Sequence, residues 1–179
     1  MNPTKFILKN GKTITVREAN VSDAANLINL KLSYIEGSRT IPLLPKEYSD
    51  KVEDEENLIE KLHEEKNSIL LVAEYEDGLI GNIDLNGNHR SKLFHTGVIG
   101  MGIRKEWQGQ GVGTVLLESV ISWCSQNPHL SLIWLEVYDS NEAGKRLYQK
   151  LGFEECGRMK HFFKEDGIYI DKITMVRHL

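Results

Sequence analysis

The stretch Arg104-Lys105-Glu106-Trp107-Gln108-Gly109-Gln110-Gly111-Val112-Gly113-Thr114 decides how this chain reads. The apolar run Gly97-Val98-Ile99-Gly100-Met101-Gly102-Ile103 leads into it, and a segment of helical periodicity, Val112 to Ser125, leads out. That order predicts strand, glycine-rich turn, helix. Glycines at 109, 111 and 113 bare backbone N–H groups where a helix begins, and the helix end adds partial positive charge. A phosphate, most naturally a pyrophosphate, is the ligand such a turn favours. The amides from Gln108 to Thr114 are its expected seat, with Gln108 and Arg104 as candidate side-chain donors. Two nucleotide-binding patterns are refused. Thr114 stands where a dinucleotide fingerprint needs its third glycine, and Gly113 is not followed by lysine as a Walker loop requires.

Composition sets the class. The 179 residues are expected to form a single domain, 1–179, with 40% hydrophobic and 27% charged residues. A net charge of −4 gives no basic footprint, so no nucleic-acid partner is expected. No signal-peptide pattern follows Met1, and no segment approaches the length of a membrane span. Cys124 and Cys156 form neither a CxxC nor a disulfide framework, so no metal is expected and a reducing cytoplasm fits. Cys124 shares a helix face with Leu117 and Ile121, which predicts a buried thiol.

Outward from the glycine stretch, periodicity predicts a first strand over Lys12–Ala19 and a helix from Ser22 to about Glu36. The irregular segment Gly37–Ser49 carries Ile41, Leu43, Leu44 and Tyr48. It is expected either to cover a pocket or to pack on the core. Asp50–Lys66 reads as a charge-dense helix with an apolar stripe of Leu58, Ile59 and Leu62. Ile69–Tyr75 and Leu79–Leu85 form a hairpin about Asp77-Gly78, and a long strand is expected over Leu93–Ile103. Leu130–Tyr138 is nearly continuous apolar sequence, as in a strand buried on both faces, and should run parallel to Leu93–Ile103. Asp139-Ser140-Asn141 caps a helix ending at Gly152, and Phe153–Met159 with Ile168–Val176 close the sheet.

Three local patterns in this order resemble the GNAT superfamily of N-acetyltransferases. The first is Arg17-Glu18-Ala19 followed by Ser22-Asp23-Ala24. The second is Gln108-x-x-Gly111-x-Gly113, and the third Asn141-x-x-x-x-x-Leu147-Tyr148-x-x-x-Gly152-Phe153. Gly157 and the closing Asp166-Gly167-Ile168-Tyr169-Ile170-Asp171-x-x-x-Met175 resemble the branch of ribosomal-protein alanine and small-amine acetyltransferases. The resemblance implies a mixed α/β fold, mostly antiparallel, with a splayed parallel central pair flanked by helices. It also implies acetyl-CoA as cosubstrate and a primary amine as acceptor, on a small molecule or a protein N-terminus. A homodimer through the C-terminal strands or an exposed sheet edge is common among similar proteins, and Phe162, Phe163 and Ile168 are the candidate contact patch here.

For residue roles, the resemblance places the oxyanion donor among the backbone N–H groups of Met101, Gly102 and Ile103. It gives Asn141 the pantetheine arm, and Tyr148 both a contact to that arm and the role of general acid toward the leaving thiolate. Many relatives carry a glutamate on the strand equivalent to Leu93–Ile103, and this chain has none there. Candidates for the base are Glu136, which interrupts an apolar strand and is expected to be buried, Asp84 on the neighbouring strand, and His95; a water relay is a further route. The missing glutamate also leaves open a CoA-sensing module of the same fold without turnover.

Overall fold

The computed structural model describes residues 1–76 and 78–179. Eight strands form one sheet in the order β1-β2-β3-β4-β5-β6-β8-β7. They are β1 (Thr4–Ile7), β2 (Thr13–Glu18), β3 (Ile69–Tyr75), β4 (Gly78–Gly87), β5 (Thr96–Ile103), β6 (Leu132–Tyr138), β7 (Glu154–Glu165) and β8 (Ile168–His178). Four helices accompany them: α1 (Ala24–Ile35), α2 (Val52–Glu64), α3 (Val112–Gln126) and α4 (Glu142–Lys150). The expected mixed sheet is present, and β5–β6 is its one parallel pair among the described residues.

Strand alternation separates two cores. On one face Leu70 and Val72 of β3 pack with Leu27 and Leu30 of α1 and Ile59 and Leu62 of α2. On the other, Leu71 and Ala73 of β3, Ile83 and Leu85 of β4, and Ile133, Leu135 and Val137 of β6 pack with Val112, Leu116 and Val120 of α3. Leu147 and Leu151 bring α4 to this second face. Cys124 is buried there as predicted, and burial pushes its thiol up to about 12.

Several expectations are corrected. The periodicity missed β1, a four-residue strand that pairs antiparallel with β2, too short to show a pattern of its own. The strand expected from Leu93 begins only at Thr96. Leu93 N–H donates to Arg90 O and Thr96 N–H to Leu93 O, so 90–96 is wound into turns that Asn67 Nδ2 ties down through Phe94 O at 2.9 Å. His95 therefore sits exposed in a turn, where its carbonyl receives Ser131 and Leu132 N–H at the start of β6. It has no place on the strand. Asp77, expected in the β3–β4 turn, lies outside the described residues.

The charge-dense helix α2 is mostly a solvated face, with one exception. Glu55 is buried, receiving Lys31 Nζ at 2.6 Å and the Tyr48 hydroxyl at 2.6 Å. Charge is placed in the interior here only because both carboxylate oxygens are matched.

Candidate active site

The parallel pair comes apart. β5 and β6 are in register only at Thr96–Leu132, Gly97–Ile133 and Val98–Trp134. Beyond that point Ile99–Ile103 pairs with β4 alone, and Leu135–Tyr138 with β8 alone. Each diverging strand thus turns one row of backbone N–H and C=O groups to the gap, the form of unpaired edge that can dock an extended ligand arm. A cavity of about 580 Å³ occupies the split and is lined by Ile99–Ile103, Glu136 and Val137.

The glycine stretch closes one end. Trp107 is buried, anchoring a short helical turn before the loop, and then Gly109 (φ +72°) and Gly111 (φ +104°) adopt left-handed conformations. A residue with a Cβ would be strained at both. Gly111 is the N-cap of α3, and no side chain among the described residues caps the helix. The first intrahelical bond here is Val115 N–H to Gly111 O, so the N–H groups of Val112, Gly113 and Thr114 are left without intrahelical acceptors at the helix start. Gln108, Gly109, Gly111, Gly113 and Thr114 line the cavity. Gln110 and Val112 do not: Gln110 is bonded to Glu106 O and Asn10, and the Val112 side chain is core. Two anticipated donors are already committed. Arg104 Nε donates to Leu79 O at 2.8 Å, away from the cavity, and Gln108 Nε2 donates to Ile103 O at 3.0 Å. Lys9, from the β1–β2 turn that the sequence reading missed, is the one basic residue among the described lining residues. Asn10 bonds to Gln110, which fixes that turn beside the loop.

Helix α4 forms a second wall. Asn141 is its N-cap, with Oδ1 accepting Gly144 N–H at 2.9 Å and the amide nitrogen left for another acceptor. Gly144 makes room for it, since a Cβ there would lie 2.8 Å from Asn141 Nδ2. Tyr148 follows two turns later on the same side, its ring edge-on to Phe153 at 6.0 Å. No protein group bonds its hydroxyl among the described residues, and burial pushes that hydroxyl up to about 12, so it is protonated at neutral pH.

The third wall lies on the α1 face. Since Ile83 and Leu85 face α3, Asn82, Asp84 and Asn86 face α1 by alternation, as do Gly100 and Gly102 of β5 and Glu136 of β6. Asp84 is half-buried against the cavity and accepts from Asn86 Nδ2 at 2.5 Å. Burial raises its carboxyl to about 6, opposed by Lys31 and Asn86 and assisted by Glu55. Tyr34 lies over Gly102, where a Cβ would fall 2.1 Å from its ring, and donates to Asn82 Oδ1 at 3.1 Å. Ser38, Thr40, Ile41 and Pro42 complete the rim. Of the apolar loop expected to cover a pocket, Ile41 does so. Leu43 and Leu44 do not line the cavity, and Tyr48 instead holds the loop to Glu55. Glu136 lines the cavity but is not buried as expected. It is exposed, with Lys172 Nζ 2.6 Å away, because its strand edge opens where β5 departs.

The split therefore gathers an anion-favouring helix start, an unpaired strand edge, a protonated phenol and two carboxylates. The sequence matches the acetyltransferase (GNAT) family over residues 36–153. The L-amino acid N-acetyltransferase AaaT of Escherichia coli K12 is 27% identical over 107 residues, which make up 60% of this chain and 66% of that relative's length. The structure of a GNAT-family acetyltransferase from Streptococcus pneumoniae is 28% identical, with a TM-score of 0.88 over 93% of this chain and 99% of that one. The yncA acetyltransferase from Salmonella typhimurium, solved with acetyl-CoA, superposes with a TM-score of 0.82 at 18% identity over 93% and 94% of the two chains.

Proposed function

The chain belongs to the acetyltransferase (GNAT) family, and from that premise we propose that it transfers acetyl from acetyl-CoA to the nitrogen of an amine by direct attack in a ternary complex. One observation carries the reading: the β5–β6 split runs from the α3 helix start to Asp84, with Tyr148 facing the same space. The pyrophosphate belongs on the amides of Val112, Gly113 and Thr114, with Lys9 supplying positive charge beside them. The pantetheine arm belongs along Ile99–Ile103, held by the free amide nitrogen of Asn141.

The chemistry divides between the two faces. Most primary amines are protonated at neutral pH, and attack needs the lone pair. Asp84, ionised above about 6, takes the proton from the incoming ammonium. The nitrogen then adds to the acetyl carbonyl carbon while a backbone N–H of Met101–Ile103 supports the oxyanion. As the intermediate collapses the carbon–sulfur bond breaks, the departing sulfur takes the Tyr148 proton, and the surplus proton on the new amide nitrogen passes through water to restore the phenol. The sensor alternative rests on the missing strand glutamate, and a carboxylate at Asp84 lining the cavity supports the enzyme reading. Calorimetric titration with acetyl-CoA, followed by a mass-spectrometric screen of amines, tests the proposal. Absence of binding together with absence of any acetylated product would refute it.

A further inference from the structure

The half of the cavity on the α1 face has a lopsided charge inventory. Its two ionisable lining groups among the described residues, apart from the tyrosine, are the carboxylates Asp84 and Glu136. They stand on β4 and β6, with Gly100 and Gly102 of β5 between them and presenting no side chain. Two cations near the carboxylates are taken, and Arg39, exposed between Ser38 and Thr40, does not line the cavity. Lys31 Nζ is 2.6 Å from buried Glu55, and Lys172 Nζ is 2.6 Å from Glu136 and also lies over the Phe162 ring at 4.0 Å. Among the described residues, Asp84 has only the neutral amide of Asn86 as a side-chain hydrogen-bond partner. Lys9 lines the opposite end, across the sheet and beside the glycine loop.

We infer that the acceptor is an amine with no carboxylate next to the reacting nitrogen: an alkyl amine, an amino-acid amide or the N-terminus of a peptide, and not a free α-amino acid. The inference rests on the transferase reading of the site. An ammonium entering this half meets a net negative surface. The carboxylate of a free amino acid is held within a few ångströms of its amine, so the geometry that brings the nitrogen to Asp84 brings a second negative charge there. No cation among the described lining residues of this half receives it, and like-charge juxtaposition of this kind disfavours the pose. The rim offers Ser38 and Thr40 hydroxyls, Ile41 and Pro42, which suit an amide or an alkyl chain. The substrate named for the Escherichia coli relative therefore does not carry over to this site.

The test is a set of matched acceptors: alanine against alaninamide, lysine against cadaverine, and a short peptide with a free N-terminus. Acetylation is followed by thiol release and by product mass, with rates corrected for the fraction of free amine. The carboxylate-free partner of each pair is expected to show at least about tenfold higher kcat/KM. The peptide and cadaverine arms tell a protein N-terminus from a small amine. A Glu136→Gln variant, which releases Lys172 to meet a carboxylate, is expected to narrow the alanine–alaninamide gap several-fold. Alanine used as well as alaninamide by the wild-type enzyme overturns this inference alone, and so does a Glu136→Gln variant that leaves the gap unchanged. No product from any acceptor overturns the transferase reading and this inference with it.

Discussion

Asp84 and Gly100 face each other across β4 and β5, and a Cβ at position 100 would lie 2.9 Å from Asp84 Oδ1. The glycine is thus what allows a carboxylate to lie flat against the strand at the point where the sheet splits. Gly100→Ala is expected to displace the Asp84 carboxylate and lower turnover at least about tenfold. Acetyl-CoA affinity, measured by calorimetry, should stay within about threefold, since the α3 end of the cavity is untouched.

Asp84 also makes opposite predictions for rate and for stability. With its carboxyl raised to about 6, the rate should climb as pH rises through 6, and this acidic limb should be absent from whatever activity Asp84→Asn retains. For stability the sign reverses. The unfolded carboxyl ionises near 3.8, so between 3.8 and 6 the folded state holds the extra proton, and stability falls as pH rises through that window. Asp84→Asn should therefore be more stable than wild type at pH 8, by up to about 3 kcal/mol, and equal to it below about pH 4. Urea denaturation at both pH values measures the difference; a variant less stable at pH 8 would refute the burial argument.

Tyr148 is expected to act through its hydroxyl alone. Tyr148→Phe keeps the ring against Phe153 and should lower turnover about 10²–10⁴-fold, with little change in acetyl-CoA affinity. Wild-type turnover under conditions where chemistry limits the rate would reduce this tyrosine to packing.

Gly111 tests the phosphate seat by a different route. A Cβ there would meet only Leu8 Cδ2, at 3.9 Å, so the obstacle to substitution is its φ of +104° and not a clash. Gly111→Val should weaken CoA binding well beyond tenfold, whereas Gly111→Asn, which tolerates the left-handed region better, should lose less. Equal loss in two folded variants would show that loop conformation is not what positions the ligand.

The outer β7–β8 pair holds the residues proposed as a dimer patch, in altered form. Phe162 and Ile168 are exposed at 49% and 66%, but Phe163 stacks on Tyr138 with ring centroids 3.8 Å apart and belongs to the protein's own packing. A homodimer through Phe162 and Ile168 should be seen by sedimentation at micromolar concentration and lost in Phe162→Asp. A monomeric wild type removes the proposal.

Local physics was enough for the sequence to determine most of the architecture. Three positions in the glycine stretch, the helical period of Val112–Ser125 and the apolar run to Tyr138 specify strand, loop, helix and returning parallel strand, because backbone freedom, amphipathic period and crossover handedness are properties of short segments. Asn141 and Tyr148 were legible for the same reason, since a seven-residue spacing on one helix fixes their common side. The proposed base was not legible. Asp84, His95 and Glu136 stand on different segments, and only the tertiary structure sorted them: His95 into a turn, Glu136 to an exposed pair with Lys172, and Asp84 to a half-buried place beside Gly100. Lys9, Tyr34 and the Glu55–Lys31–Tyr48 cluster were equally invisible, because they come from segments whose local pattern says only turn, helix or loop. What the chain writes locally is the conformation of each segment. Which charges are stripped of water, and which of them meet, depends on long-range packing that no short stretch encodes.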